Sequence, residues 1–370
     1  MYKRQVFIVP TKQDTVEYIG LGREYEYGGV TSIKQALANP ITFSVLKLTK
    51  AGQQWQFAQG SGATLIKRLS KDFDLFGSLS PEPEVFQGLK TSADKQYLLT
   101  VKKKTHNLIS GVNGKGEEVT VEEGAVKPVF RGEQVRAYTT ETTPEYCVVY
   151  PYRQNKEGKA VLIDEKTLKS EWPRTWKYLN TCKLILGARD RGKWADRPDW
   201  YAYARSQNIA AFLGQKILVP YMKTRLRAAF DSQGDHFFVN MSTGGFGVRV
   251  VDSRVDVEVL LALFNSKLWN YILKQTPELF RGGYSGIKKQ ELLNLPIPKL
   301  GRQSPREMEI REETKRLVRE YIELSADTST AHRKDFVQRQ QKTLDNQLNK
   351  LIYEMFKLTT EEIDEVERRQ

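Results

Sequence analysis

Residues 175–221 constrain this chain more than any other stretch. They thread Trp176, Tyr178, Trp194, Trp200, Tyr201, Tyr203 and Tyr221 among Lys177, Lys183, Arg189, Arg191, Lys193, Arg197, Arg205 and Lys216, with only Asp190, Asp196 and Asp199 as counter-charges. Guanidinium forks suit phosphates and guanine edges, while flat rings either stack on bases or hold a basic loop rigid. The same composition suits a solvated charged face over an aromatic core, so composition leaves both readings open. Pro173 predicts the start of a helix over 174–186, because proline is tolerated in a first helical turn. Residues 187–199 read as a basic loop, 200–212 as a second helix and 216–221 as a strand.

The chain has 370 residues and a net charge of +13. That length can bury a substantial core in two or three structural units, and the charge favours a polyanionic partner. Cys147 and Cys182 form no CxxC pair and the three histidines lie far apart, so neither a disulfide framework nor a structural zinc site is expected. No apolar run approaches the roughly 18–20 residues that span a bilayer, and the first ten residues lack a signal peptide's cleavage pattern. A reducing cytoplasm is the expected compartment.

In chain order, 5–9 and 42–48 read as strands and 32–38 as a helical turn stopped by Asn39-Pro40. The Asn39-Pro40 phrase lacks the second proline of an Asn-Pro-Pro-Tyr box and is rejected as one. Gly60-Ser61-Gly62 lacks the Gly-Lys-Ser/Thr ending of a P-loop and reads as a flexible loop. Residues 85–99 give strand, turn and strand, with Gly88 expected to permit a tight turn and Thr91 and Asp94 to fix the loop through backbone amides. Residues 226–231 and 237–241 read as strands and 255–273 as one amphipathic helix. Two charged helices follow at 304–324 and 332–358. Leu344, Leu348, Leu351, Ile352, Met355 and Phe356 form a stripe on the second, matched by Leu317, Val318, Tyr321 and Ile322 on the first. An antiparallel pair that buries its stripe within itself is expected, so that the rest stays folded without 302–370. Thr359 and Glu362 form a capping box for a last short helix.

Tyr178-Leu179, Arg189 with Gly192 and Lys193, Trp200-Tyr201 and Lys216-Ile217 before Pro220 resemble the centre of the TaqI-like specificity domain. This is the target-recognition module of adenine-specific methyltransferases and type IIG restriction-modification enzymes. Residues 85–99 resemble the phrase that opens such recognition domains, and 127–138 resemble the basic-aromatic segment that leads into the main lobe. Asn265 to Leu268, Gly282-Gly283-Tyr284, Lys288 and 292–298 are similar to type I specificity subunits, and 344–363 to the common C-terminus of the type IIG enzymes. The resemblance implies an α+β fold: a mixed-sheet recognition lobe over 76–301, an N-terminal α/β segment over 1–75 (a methyltransferase remnant or a cap) and a helical pair over 302–370. It also implies double-stranded DNA as partner and an adenine methyltransferase domain or subunit as associate, with S-adenosylmethionine bound there and no cofactor in this chain. The catalytic half is expected in a longer parent or another subunit.

Candidate DNA contacts are Lys90, Arg131, Arg136, Arg189, Arg191, Lys193, Trp194, Trp200, Tyr201, Lys216, Lys223, Arg225, Arg281, Tyr284, Lys288 and Lys289. Within them, Arg189 and Arg191 are placed to read guanine and Lys216 and Lys223 to meet phosphates. No residue is assigned catalysis or a metal. His236, between aromatic neighbours, reads as structural. Two competitors remain: a Mg²⁺ nuclease built on Glu145, Asp164 and Lys166, and a scaffold protein whose helical tail binds a partner.

Overall fold

The structure, a computed structural model, describes residues 6–10, 16–20, 42–44, 61–140, 145–205, 207–223, 225–240, 242–274, 285–300, 303–326 and 331–368. Two mixed sheets organise it. One has six strands in the order Phe237–Phe238, Val126–Phe130, Tyr146–Val149, Leu98–Thr105, Leu108–Asn113 and Glu118–Glu122. The other has five, in the order Tyr138–Thr139, Ala229–Asp231, Lys216–Pro220, Gly245–Arg249 and Glu84–Gln87. Phe237–Phe238 pairs parallel to Val126–Phe130, and Tyr138–Thr139 parallel to Ala229–Asp231; the other pairs are antiparallel. With its helices the molecule is α+β. Val6–Pro10, Val16–Gly20 and Thr42–Ser44 form a separate antiparallel sheet.

The five-stranded sheet is covered on both faces. Ile217 and Val219 enter a core made mostly of helices, while Leu218 between them enters an aromatic core against the six-stranded sheet. Val85 and Phe86 divide in the same way. Alternate residues of a strand point to opposite faces, and covering both faces requires the unbroken apolar run Ile217-Leu218-Val219. Gly88 follows the edge strand at a close approach: a Cβ there would run into the Asn240 carbonyl. Its glycine therefore serves backbone proximity rather than an unusual turn. Thr91 and Asp94 do fix the loop, with Thr91 Oγ1 donating to Asp94 Oδ1 and accepting from the Ala93 amide at 3.0 Å.

Several expected elements come out differently. The helix expected at 255–273 is two, Val257–Asn265 and Lys267–Lys274, separated by Ser266 with extended backbone. The Asn265 amide is turned to the 226–228 segment: its Oδ1 accepts from the Ala228 amide and its Nδ2 donates to the Ala228 carbonyl, both at 3.0 Å. Residues 200–205 and 207–212 form turns, bends and irregular backbone, not a helix. Side chains take the backbone groups a helix would use, since Tyr97 Oη donates to the Tyr201 carbonyl and Tyr152 Oη accepts from the Tyr203 amide. Gly60 lies outside the described residues, but Ser61 and Gly62, expected in a loop, open the helix Ser61–Asp72, whose Leu65 and Leu69 are buried in the helical core. The 32–38 turn and Asn39-Pro40 lie outside the described residues.

The tail helices Pro305–Ala326 and Ala331–Met355 are antiparallel, since Arg306 pairs with Glu354 and Ser325 with Gln341. Their stripe is not reserved for each other. Leu317, Val318, Leu344, Leu348, Ile352 and Phe356 share one core with Leu260, Phe264, Trp269 and Phe76, and Arg68 clasps Glu362 of the last helix, Thr360–Arg368, through two hydrogen bonds. The expectation of a self-contained pair is corrected, because its stripe packs into the core that holds Leu260, Phe264 and Trp269 instead of only within the pair. The capping box is as read, with the Thr359 amide donating to Glu362 at 3.0 Å and the Glu362 amide to Thr359 Oγ1 at 3.3 Å. Among the described residues no helix is long and apolar enough to cross a membrane.

Candidate nucleic-acid interface

The basic-aromatic stretch begins on a helix, Pro173–Thr181, with proline at its first position. Glu122, at the end of the last strand of the six-stranded sheet, receives the Arg174 and Thr175 amides at 2.9 Å and the Thr175 hydroxyl at 2.6 Å. A carboxylate there satisfies orphan amides and meets the positive end of the helix dipole. Partial burial raises the Glu122 carboxyl, but these donors outweigh it and hold it below its usual range. Further along, Tyr178 Oη donates to the Gln96 carbonyl and accepts from Asn113 Nδ2 at 3.2 Å, fastening the helix to the hairpin beside it.

The chain continues through the short helix Lys183–Gly187 into an abrupt reversal at Asp190, Arg191 and Gly192, with φ of 49°, 63° and 83°. Three successive left-handed residues cost free energy for the two that are not glycine. The turn is fixed from beneath by Arg189. Buried at 8% exposure, its guanidinium donates to the carbonyls of Leu186, Thr91, Ala202 and Trp200 at 2.5–3.3 Å. Trp194 lies against both Arg189 and Arg197, 4.6 and 4.3 Å from ring centroid to guanidinium carbon, and donates its indole N–H to Asp190 at 3.0 Å. That bond, reinforced by Arg205, lowers the Asp190 carboxyl.

Arg189 is therefore a brace and not a base reader, because all four of its bonds are spent inside the fold. Trp194, Trp200 and Tyr201 are buried too. Trp200 and Tyr201 pack with Trp176, and Tyr201 Oη donates to the Ile163 carbonyl at 2.8 Å. They hold the loop and have no face free for a base. Lys216 is buried with its ammonium 2.5 Å from Asp231, which also accepts from the Gly234 and His236 amides. Burial raises Asp231, but His236 and Lys216 overcome it and bring its pKa to about 2. Lys216 thus has no phosphate-facing role. Asp231, Asp235 and His236 bring possible ligand atoms within 4.8 Å, yet the Lys216 ammonium already neutralises Asp231. His236 stacks on Phe130, consistent with a structural part.

The exposed candidates are Lys90, Arg136, Arg191, Lys193, Lys288 and Lys289. Arg131 is half-buried over the Tyr146 ring at 4.2 Å, and Arg225 is half-buried beside Asp345 and Glu367 of the helical core. Arg281 and Tyr284 lie outside the described residues, as does the Lys223 side chain. The fold brings several candidates together. Leu89, next to Lys90, bridges to Val239, while Gly132, next to Arg131, donates to Thr243 at 2.8 Å, so both cations lie near the segment that runs from Val239 to the 242–244 turn. Arg189 binds the Thr91 carbonyl and so ties the 190–192 turn to Lys90. Segment 132–134 lies against Met222–Lys223, which pairs with Ser285–Gly286 near Lys288. Lys177, on the helix Pro173–Thr181, and Lys183, which opens the next helix, are exposed as well, and the sequence reading did not single them out as DNA contacts.

The Asp164 carboxylate caps the helix Glu165–Glu171, accepting from Thr167 N at 3.0 Å and Thr167 Oγ1 at 2.6 Å. The nuclease arrangement thereby loses the free acid it needs.

The turn is thus strained, cationic and braced from beneath by a buried arginine. Residues 127–297 match the TaqI-like C-terminal specificity domain, so the resemblance read from the sequence holds over that stretch. Over 263 residues, 66% of its length, the chain is 24% identical to the type II restriction enzyme and methyltransferase RM.Eco57I of Escherichia coli. It spans 25% of that protein's length.

Proposed function

We propose that this chain recognises a short double-stranded DNA sequence for an adenine-N6 methyltransferase of a restriction-modification system. The observation that carries the reading is the 190–193 turn. Arg191 and Lys193 are exposed on it, without an ion-pair partner among the described residues, while Arg189 and Trp194 immobilise the backbone beneath. An unpaired, pre-positioned guanidinium loses little on meeting a phosphate or a guanine edge. Lys90, Arg131, Arg136, Lys288 and Lys289 extend the cationic surface for backbone contacts, which position the protein without reading sequence. Methyl transfer and S-adenosylmethionine binding belong to an associated catalytic part or subunit in the cytoplasm. The scaffold alternative is less well supported, because the tail's apolar stripe is consumed by the core. The test is selection from a pool of duplexes with a randomised centre. Enrichment of one short adenine-containing motif is expected; recovery of duplexes without any shared motif would contradict sequence recognition.

A further inference from the structure

We propose that Leu184 is an apolar wedge that enters the base stack of the bound duplex, with Ile185 as its shoulder; the inference rests on the DNA-recognition reading above. Leu184 is 89% exposed, more than any other large apolar side chain named as exposed among the described residues, and Ile185 is 38% exposed. A lone exposed leucine is ordinary on a protein surface. Its mounting here is not.

Leu179, Cys182 and Leu186 are buried around it, and Arg189 Nε donates to the Leu186 carbonyl at 2.7 Å. The five-residue helix that carries Leu184 is thus fastened on both sides and cannot fold its tip inward. Cations stand before and after it. Lys177 and Thr181 at the end of the preceding helix are exposed, as Leu184 is. Arg191 and Lys193 follow on the braced turn. Proteins that pry open a base step set an apolar side chain between bases and hold the flanking phosphates with cations, and the unstacking is offset by the contacts that a bent duplex gains. A protein partner calls for a wider apolar patch than two side chains ringed by lysine and arginine. Charge complementarity therefore selects a duplex as the occupant.

The chain is mixed with its selected duplex carrying 2-aminopurine at each position in turn. A several-fold rise in fluorescence is expected at one base step. Leu184→Ala should abolish that rise and weaken binding about tenfold while leaving the salt dependence unchanged; Leu184→Met should restore both. Lys177→Ala should keep the rise and flatten the salt dependence. An undiminished rise and unchanged affinity in Leu184→Ala would overturn the proposal, as would normal DNA behaviour combined with loss of binding to the associated methyltransferase, which would make the leucine a protein contact. Failure of the unaltered chain to bind any duplex would instead overturn the DNA reading beneath it.

Discussion

The tail helices and the turn at 190–193 use charge differently. In the helical core, cations meet carboxylates: Arg68 with Glu362, Arg306 with Glu354, Arg311 with Asp256, Arg316 with Glu313 and Glu320, Arg319 with Glu258, and Lys357 with Glu307. The lobe has such pairs too, among them Lys104 with Glu123, Arg153 with Glu171, Arg197 with Asp199 and Arg249 with Glu84, but Lys90, Lys177, Arg191 and Lys193 have no described carboxylate within ion-pair reach. A net charge of +13 announces a polyanionic partner without saying where it binds.

If the tail is part of the core, removing residues 303–370 should have the largest effect. Leu260, Phe264 and Trp269 would lose the part of their cover that the tail supplies, and the loss should exceed the roughly 5–15 kcal/mol by which such domains are stable. The truncated chain should show no cooperative melt by circular dichroism; a sharp transition would restore the self-contained pair. Next come the buried cations of the lobe. Lys216→Ala leaves Asp231 buried and charged, and should cost about 3–5 kcal/mol in urea unfolding. Arg189→Ala strands four carbonyls and should fall in the same range, weakening binding to all DNA alike through the loosened turn.

A smaller effect concerns acid. Asp231 has a folded pKa of about 2, below the ordinary carboxylate value of about 3.9. The ionised form's contribution is fully present above about pH 4 and is lost as pH falls towards 2. Between those limits the protein should lose about 2 kcal/mol that a Lys216→Met/Asp231→Leu variant does not lose. Parallel pH dependence of the two would remove Asp231 from the acid-sensitive groups. Smallest of all, Arg316→Ala on the exposed tail should change stability by less than about 1 kcal/mol, because surface ion pairs are worth little.

Much of this was legible in the sequence. A continuous apolar run marks the strand at 216–220, proline placement the helix start at Pro173, and the helix stripe at 344–356 the tail. What stayed hidden depended on three-dimensional use of side chains. Residues 200–212 have helical composition, yet Arg189, Tyr97 and Tyr152 claim their backbone groups from distant segments. The same long-range bonds turn Arg189 inward while Arg191, two residues on, stays outside. Local sequence treats the two arginines alike, since the only difference lies in carbonyls brought from residues 91, 186, 200 and 202. Lys216 carries no mark of burial, because its counter-charge, Asp231, comes from the neighbouring strand.

The central claim is that the unpaired lobe cations, not the basic total, bind DNA. It is tested by the slope of log affinity against log salt for one duplex, measured for the unaltered chain, for Arg191→Ala/Lys193→Ala and for Arg316→Ala/Arg319→Ala. Each lost phosphate contact should reduce the magnitude of the slope by about 0.9. The lobe variant is expected to lose about one to two such contacts, and the tail variant, which removes the same charge, none. Equal slopes for the two variants would contradict the account.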